Sequence, residues 1–245
     1  MGLSPLSSDF NIYLHFFFMF KHILSLFLKP NCPLCDRPAN EIVCKYCQKQ
    51  LEICKLNNNS KYWQGELPLF VWGEYEGKLK RAIATLKYDN HPELAELMGM
   101  WLGKTWHSAQ IHTERITVVP IPLHKKKLQE RGFNQAEVIA RSFCQITGYK
   151  LKAEGLARVK ETKAMYGLNP EERAENIKNA LTLGKDFQTR KPQTPVLIID
   201  DIYTTGTTAK NAAQILKEKG IKVIGVGAIA KPVSPSQPNT IMTKL

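Results

Sequence analysis

The residues best placed to do chemistry form one contiguous run. An apolar stretch, Val196-Leu197-Ile198-Ile199, is followed by Asp200, Asp201, Ile202, Tyr203, Thr204, Thr205, Gly206, Thr207, Thr208 and Ala209. Two carboxylates at the end of a buried strand are costly to desolvate without a partner. Gly206 allows a backbone conformation that side chains disfavour, so successive N–H groups can converge just before a helix whose N-terminus adds partial positive charge. Thr204, Thr205, Thr207 and Thr208 add hydroxyls around the same point. A monoester phosphate on a sugar suits this arrangement. The turn would grip the phosphate while Asp200 and Asp201 accept hydrogen bonds from ribose hydroxyls or hold a hydrated Mg2+. Thr204 or Thr207 taken singly reads as an ordinary N-cap. A Walker loop is excluded because no GxxxxGK[ST] occurs.

A second cluster is sulfur-based. Cys32-Pro-Leu-Cys35 and Cys44-Lys-Tyr-Cys47 make CxxC, eight residues, CxxC. Two such knuckles supply the four tetrahedral thiolates of a structural Zn2+, with no position left open for catalysis. The loop between them is too short to hold a core and has little reason to fold without metal. Free buried cysteines or a redox pair are the alternatives. Cys54 is surplus, and Cys144 on a helix face reads as a small core residue.

A third group is cationic. After Val118-Val119-Pro120-Ile121-Pro122-Leu123-His124 come Lys125, Lys126 and Lys127, then Arg131-Gly132-Phe133-Asn134-Gln135-Ala136. The two prolines fix a loop at the mouth of a sheet, opposite the phosphate turn. Lys125 to Lys127 and Arg131 could meet a pyrophosphate, follow a nucleic-acid backbone, or only solvate an exposed face. Asn134 reads as the N-cap of the next helix.

The frame that must position these groups is globular: 245 residues with 43% hydrophobic positions. The 34 Lys and Arg against 22 Asp and Glu give a net charge of +12, and polyanions are favoured partners. From Pro120 to Met165 ten basic residues face four acidic ones, half of that excess. Six cysteines, five of them between Cys32 and Cys54, are clustered rather than stapled, which points to a reducing, cytoplasmic compartment. The apolar run Ile12 to Leu28 lacks a charged n-region and a small-residue cleavage site, and it carries His15, Lys21 and His22. It is too short and too polar for a span. From Phe20 to Leu28 it has the stripe of an amphipathic helix, which would dock on the protein's own core or lie on a membrane surface, so that membrane contact is at most peripheral. Met19, just before it, is a second candidate start.

Helical spacing over 79–88 and 93–106 is followed by alternation: a strand at 116–121, a helix over 134–146, a strand at 196–199, a helix over 207–219 and a strand at 223–230. This rhythm predicts an α/β fold, a parallel sheet flanked by helices. The stripes Ala136/Ile139/Ala140/Phe143 and Ala209/Ala212/Ala213/Leu216 are the faces expected to meet it. The tail from Pro232 is expected to be irregular. The expected organisation is an N-terminal extension over 1–29, a zinc module over 30–56, a linker over 57–72 and the sheet domain over 73–245.

The strand, acid pair and TTG-containing turn resemble the 5-phosphoribosyl 1-pyrophosphate (PRPP) loop of type I phosphoribosyltransferases. Together with the double CxxC, the LKY at Leu86 to Tyr88, the PIPLH and RGFNQA segments and the run Arg158 to Leu181, all in order, they resemble the ComF (competence protein F) family. The resemblance runs from Cys32 almost to Ala230, with Met165 standing where the family is expected to carry Gln. It implies a type I phosphoribosyltransferase-like fold, ribose contacts from Asp200 and Asp201, phosphate contacts from Thr204 to Thr208, and Mg2+ arriving with PRPP. It also implies a cytoplasmic role in natural transformation, handling single-stranded DNA beside other competence and DNA-uptake proteins. An active Mg2+-dependent phosphoribosyltransferase and a nonenzymatic PRPP sensor are the alternatives. Tyr62, Trp63, Phe70 and Trp72 would stack on bases in the DNA reading, or pack in the core.

Overall fold

Strand β1 (Leu69–Glu74) opens a parallel sheet completed by β2 (Thr117–Pro120), β3 (Lys150–Leu151), β6 (Val196–Ile202) and β7 (Val223–Lys231) in the order β1-β7-β6-β2-β3. A small antiparallel hairpin, β4 (Leu156–Arg158) with β5 (Leu181–Leu183), stands apart from it. The helices are α1 (Lys45–Glu52), α2 (Gly77–Tyr88), α3 (Pro92–Ala109), α4 (Lys125–Arg131), α5 (Gln135–Thr147), α6 (Lys185–Gln188) and α7 (Thr207–Glu218). This computed structural model describes residues 30–111, 114–159 and 180–233. The helix expected over 20–28, the segment around Met165 and the tail beyond Val233 lie outside the described residues. Among the described residues no helix is long and apolar enough to cross a membrane.

The chain divides at Lys49/Gln50 into a small unit that carries the four clustered cysteines and a larger one that carries the sheet. In the larger unit β6 is buried from Val196 to Ile199, as a strand covered on both faces must be. On one face α3 and α5 approach closely because of two glycines. A Cβ on Gly99 would stand 2.4 Å from the Ile139 carbonyl oxygen, and one on Gly103 2.9 Å from Ile146 Cβ. On the other face Ala209, Ala212, Ala213 and Leu216 of α7 join Leu156 and Leu181 of the hairpin and Val196 and Ile198 of β6 in one core. Both small-residue stripes thus do what their spacing predicts.

One expectation needs correction. Residues 57–72 are no linker: they include the start of β1, and the stretch before it seals that strand's outer edge. Leu56 N–H donates to the Trp72 carbonyl, Val71 N–H to Asn59 and Leu69 N–H to Tyr62. The buried Asn59 side chain donates to both Val71 O and Trp72 O, at 2.7 and 2.8 Å. Of the two readings left open for the aromatics of this region, Phe70 and Trp72 take the packing one. Phe70 and Trp72 are buried, Trp72 stacks on Trp101 with centroids 5.0 Å apart, and Trp106 meets Trp63 and Phe70 edge-on.

Candidate functional site

From β2 the chain moves outward to β3, then returns to place β6 on the opposite side of β2. The paired strands β2 and β6 therefore mark the point where the winding reverses, the crevice in which open α/β sheets bind ligands. Their register, Thr117 opposite Val196 and Pro120 opposite Ile199, brings Ile121 and Pro122 level with the acid pair that ends β6. Asn134 fixes the loop after β2. Its side chain donates to Ile121 O at 3.0 Å and accepts from Ala136 N–H, capping α5.

Asp200 is partly buried and Asp201 buried. Each carboxylate curls back on its own backbone: Asp200 Oδ1 accepts from Asp201 N–H at 2.8 Å, and Asp201 Oδ1 from Ile202 N–H at 2.9 Å. Lys87, at the end of α2, brings its Nζ to 2.5 Å from Asp201 Oδ2. The contact is a short charge-assisted one on a buried carboxylate oxygen. One ammonium does not neutralise two carboxylates. Burial, then the charge of Asp201, raise the Asp200 carboxyl well above its usual range. Arg158, at the end of β4, is within electrostatic reach of Asp200; burial lowers its pKa and the Asp200 charge works against that shift.

Beyond the acids the chain turns through Thr204 and Thr205 into α7. Gly206 is the N-cap, with φ 73°, the left-handed region that favours glycine. A side chain here would also displace the Tyr203 ring, which lies across the turn: a Cβ would stand 2.1 Å from its hydroxyl. Thr205 and Thr207 share a hydroxyl–hydroxyl hydrogen bond of 2.7 Å, and Thr204 and Thr205 are exposed. Gly206 has no side chain with which to cap the helix, and the first helical N–H, that of Thr207, is directed at Thr205 Oγ1, 3.5 Å away.

The cationic group divides. Lys125, Lys126 and Lys127 are exposed on α4, whereas Arg131 turns inward. Its Nε donates to the Lys87 carbonyl at 3.1 Å and a guanidinium N–H reaches Gln135 Oε1. Arg131 thus holds the end of the helix that delivers Lys87 to Asp201. Sequence reasoning gave Lys87, Arg158 and Tyr203 no role; the only signal for the first was its place in the Leu86-Lys87-Tyr88 tripeptide, where a lysine follows a fully buried leucine.

In the small unit the Sγ atoms of Cys32, Cys35, Cys44 and Cys47 all lie within 4.8 Å of one another, with Cys35 and Cys44 at 3.5 Å. Four thiolates at about 2.3 Å from a tetrahedral ion would stand ~3.8 Å apart, so this set can hold Zn2+ after a small contraction. The first knuckle is tied by Cys35 N–H and Asp36 N–H, both donating to Cys32 O. In the second, Cys47 N–H points at Cys44 Sγ, 3.5 Å away. That N–H lowers the Cys44 thiol to about 7, while burial and the neighbouring thiols push Cys47 up to about 12. Cys54 is outside the cluster, its thiol directed at the Gln50 and Glu76 carbonyls. Burial raises Cys144 to about 12, in keeping with a packing role.

Fold and site together define an α/β chain whose parallel sheet is flanked by helices and is preceded in sequence by a four-cysteine cluster. The chain is similar in sequence to competence and DNA utilization proteins. It is 26% identical over 167 residues to competence protein F of Haemophilus influenzae, covering 66% of this chain and 72% of that protein. With the DNA utilization protein YhgH of Escherichia coli it shares 26% over 212 residues, 83% of this chain and 85% of the other. With competence protein ComFC of Bacillus subtilis the figures are 27% over 198 residues, 77% and 72%. No family model matches the sequence. Solved structures with a similar trace include an adenine phosphoribosyltransferase, 13% identical, covering 76% of this chain and 89% of that one at a TM-score of 0.40. Another is the glutamine PRPP amidotransferase of B. subtilis, 15% identical with a TM-score of 0.35, where the match covers 56% of this chain but only 25% of that one.

Proposed function

We propose that the crevice between β2 and β6 binds PRPP or a related sugar phosphate, and that the protein acts with this ligand in the uptake or use of incoming DNA. The observation that carries the first part is the placing of Asp200 and Asp201 beside the glycine- and threonine-lined start of α7, at the point where the winding of the sheet reverses. The 5-phosphate would lie on the N–H groups and hydroxyls of Thr204 to Thr208, and the ribose hydroxyls would donate to the two carboxylates. Because Asp201 is already paired with Lys87, the acid pair is a poor site for a bare divalent ion. Mg2+ fits this site as the counter-ion of the ligand's pyrophosphate, where it would neutralise developing charge on that group.

The second part is supported by the names of the relatives, competence proteins and DNA utilization proteins, and by the net charge of +12. Zn2+ on Cys32, Cys35, Cys44 and Cys47 would serve the small unit as a structural ion.

Calorimetric titration with PRPP and Mg2+ tests the ligand assignment. Saturable binding that disappears in Asp200→Asn/Asp201→Asn is expected; equal heats in that variant would sink the reading. A scan of nucleobases for pyrophosphate release separates the two activities the site could support. Release that depends on a base would make the protein a transferase, and binding without release a PRPP-responsive DNA factor.

A further inference from the structure

The opposite end of the same sheet carries a feature the reading above does not use. Where β2, β3 and β6 begin, a cavity of about 490 Å³ opens between β3, α6 and the loop that leads into β6. Lys150, Lys152, Lys185, Arg190 and Lys191 line it, against one acid, Asp186. Two of these cations are held internally: Lys152 pairs with Asp186 at 3.3 Å and Lys185 with Glu154 at 2.6 Å. Lys150, Arg190 and Lys191 are exposed and form no ion pair among the described residues. Thr117 and Thr194, whose hydroxyls meet at 2.7 Å, add polar groups to the lining.

The charge continues along this edge. Lys191 Nζ lies 3.6 Å from where a Cβ on Gly220 would stand, which brings it to the end of α7, and the exposed Lys219 and Lys222 lead from there into β7. Lys219 also complements the negative end of α7. Lys191, brought to the same helix end, shares that role, whereas Lys150 stands on a strand and Arg190 on a loop. From β3 to β7 the edge crosses three inter-strand steps, about 14 Å at ~4.8 Å each. A stripe of that length with cations at intervals suits an extended polyanion better than a single phosphate.

We infer that the N-terminal edge of the sheet, from Lys150 through Arg190 and Lys191 to Lys222, is a binding track for the phosphodiester backbone of single-stranded nucleic acid. The inference rests on the DNA part of the function proposed above, and it moves the contact away from Lys125 to Lys127. Because strands run from this edge to the acid pair at their far ends, the sugar phosphate and the nucleic acid would occupy opposite ends of one sheet and bind together without competition.

The test is fluorescence anisotropy of the whole chain with a labelled oligothymidylate over a series of salt concentrations. The expected wild-type result is an affinity that falls steeply as salt rises. Lys150→Ala/Arg190→Ala/Lys191→Ala should bind at least about tenfold more weakly and flatten the log–log salt slope by about 2, since each single-strand phosphate contact contributes ~0.7. Lys125→Ala/Lys126→Ala/Lys127→Ala removes the same charge from α4 and should leave the slope unchanged. Equal losses in the two variants, no loss in the first, or displacement of the oligonucleotide by PRPP would overturn the inference while leaving the DNA reading in place. A wild-type chain with no salt-dependent affinity would remove both. The substituted side chains are exposed, and unchanged thermal midpoints verify that the fold is retained.

Discussion

Lys87 and Asp201 come from elements far apart in sequence and meet at 2.5 Å, one side chain at the end of α2 and the other at the end of β6. The ammonium partly offsets two adjacent carboxylates, and Arg131 holds the backbone that carries it. The ion pair is therefore the cross-tie between the helix layer and the floor of the crevice.

Lys87→Met should leave a buried carboxylate without its cation and destabilise the sheet unit by on the order of 2–4 kcal/mol at pH 7.5. The double variant Lys87→Met/Asp201→Asn should regain most of this in denaturant titration. A double variant no more stable than the single one would show that the cost arises elsewhere. Arg131→Ala should give a smaller loss in the same direction, since it acts on Lys87 through a carbonyl.

The raised Asp200 carboxyl gives the fold a pH dependence whose sign follows from linkage. Its carboxyl is raised in the fold, so between the ordinary aspartate range and its folded value the native state binds more protons than the unfolded chain, and stability falls as pH rises. Asp200→Asn should remove that penalty. The expected outcome is a thermal midpoint about 2–4 °C above wild type at pH 8, the size of a ~1 kcal/mol change in a chain of this length, shrinking towards pH 4. A gain that persists undiminished at pH 4 would contradict the titration argument.

Gly206 is held by conformation and by space. Gly206→Ala should cost about 1–3 kcal/mol and abolish PRPP binding. Gly206→Ala/Tyr203→Ala relieves only the clash with the hydroxyl, so calorimetry should still find no binding. Restored binding in the double variant would mean that the left-handed turn is dispensable.

Metal analysis should find one Zn2+ per chain, lost in Cys32→Ser and Cys47→Ser and retained in Cys54→Ser and Cys144→Ser. A chelator should raise the protease sensitivity of the region around Cys32 to Cys47 while the sheet unit keeps its thermal transition. Full metal content in Cys47→Ser would rule out the four-thiolate assignment.

What could be read from the sequence was what lies contiguously along it. The strand, acids and turn of 196–209 and the two CxxC pairs are local patterns, and the structure keeps each together. Lys87 was invisible because its meeting with Asp201 depends on how α2 packs over the end of β6, which no local pattern encodes. Arg131 was visible as a charge, but not as one spent on a backbone carbonyl. The same loss of information hid the basic track: its residues come from β3, from the loop before β6 and from the start of β7, and only the parallel register lines them up. Trp72 was ambiguous for a different reason, since spacing alone does not separate a strand side chain in the core from one offered to a base.

The hydrogen bonds from 54–62 to the outer flank of β1 have a practical bearing on any attempt to isolate the sheet. A truncation made at Gly73, where sequence patterning would put the domain boundary, discards most of β1 together with its cover. The raw flank of β7 that remains would offer unpaired amides to another molecule, so such a fragment should be recovered as aggregate. Cutting before Cys54 keeps that seam closed.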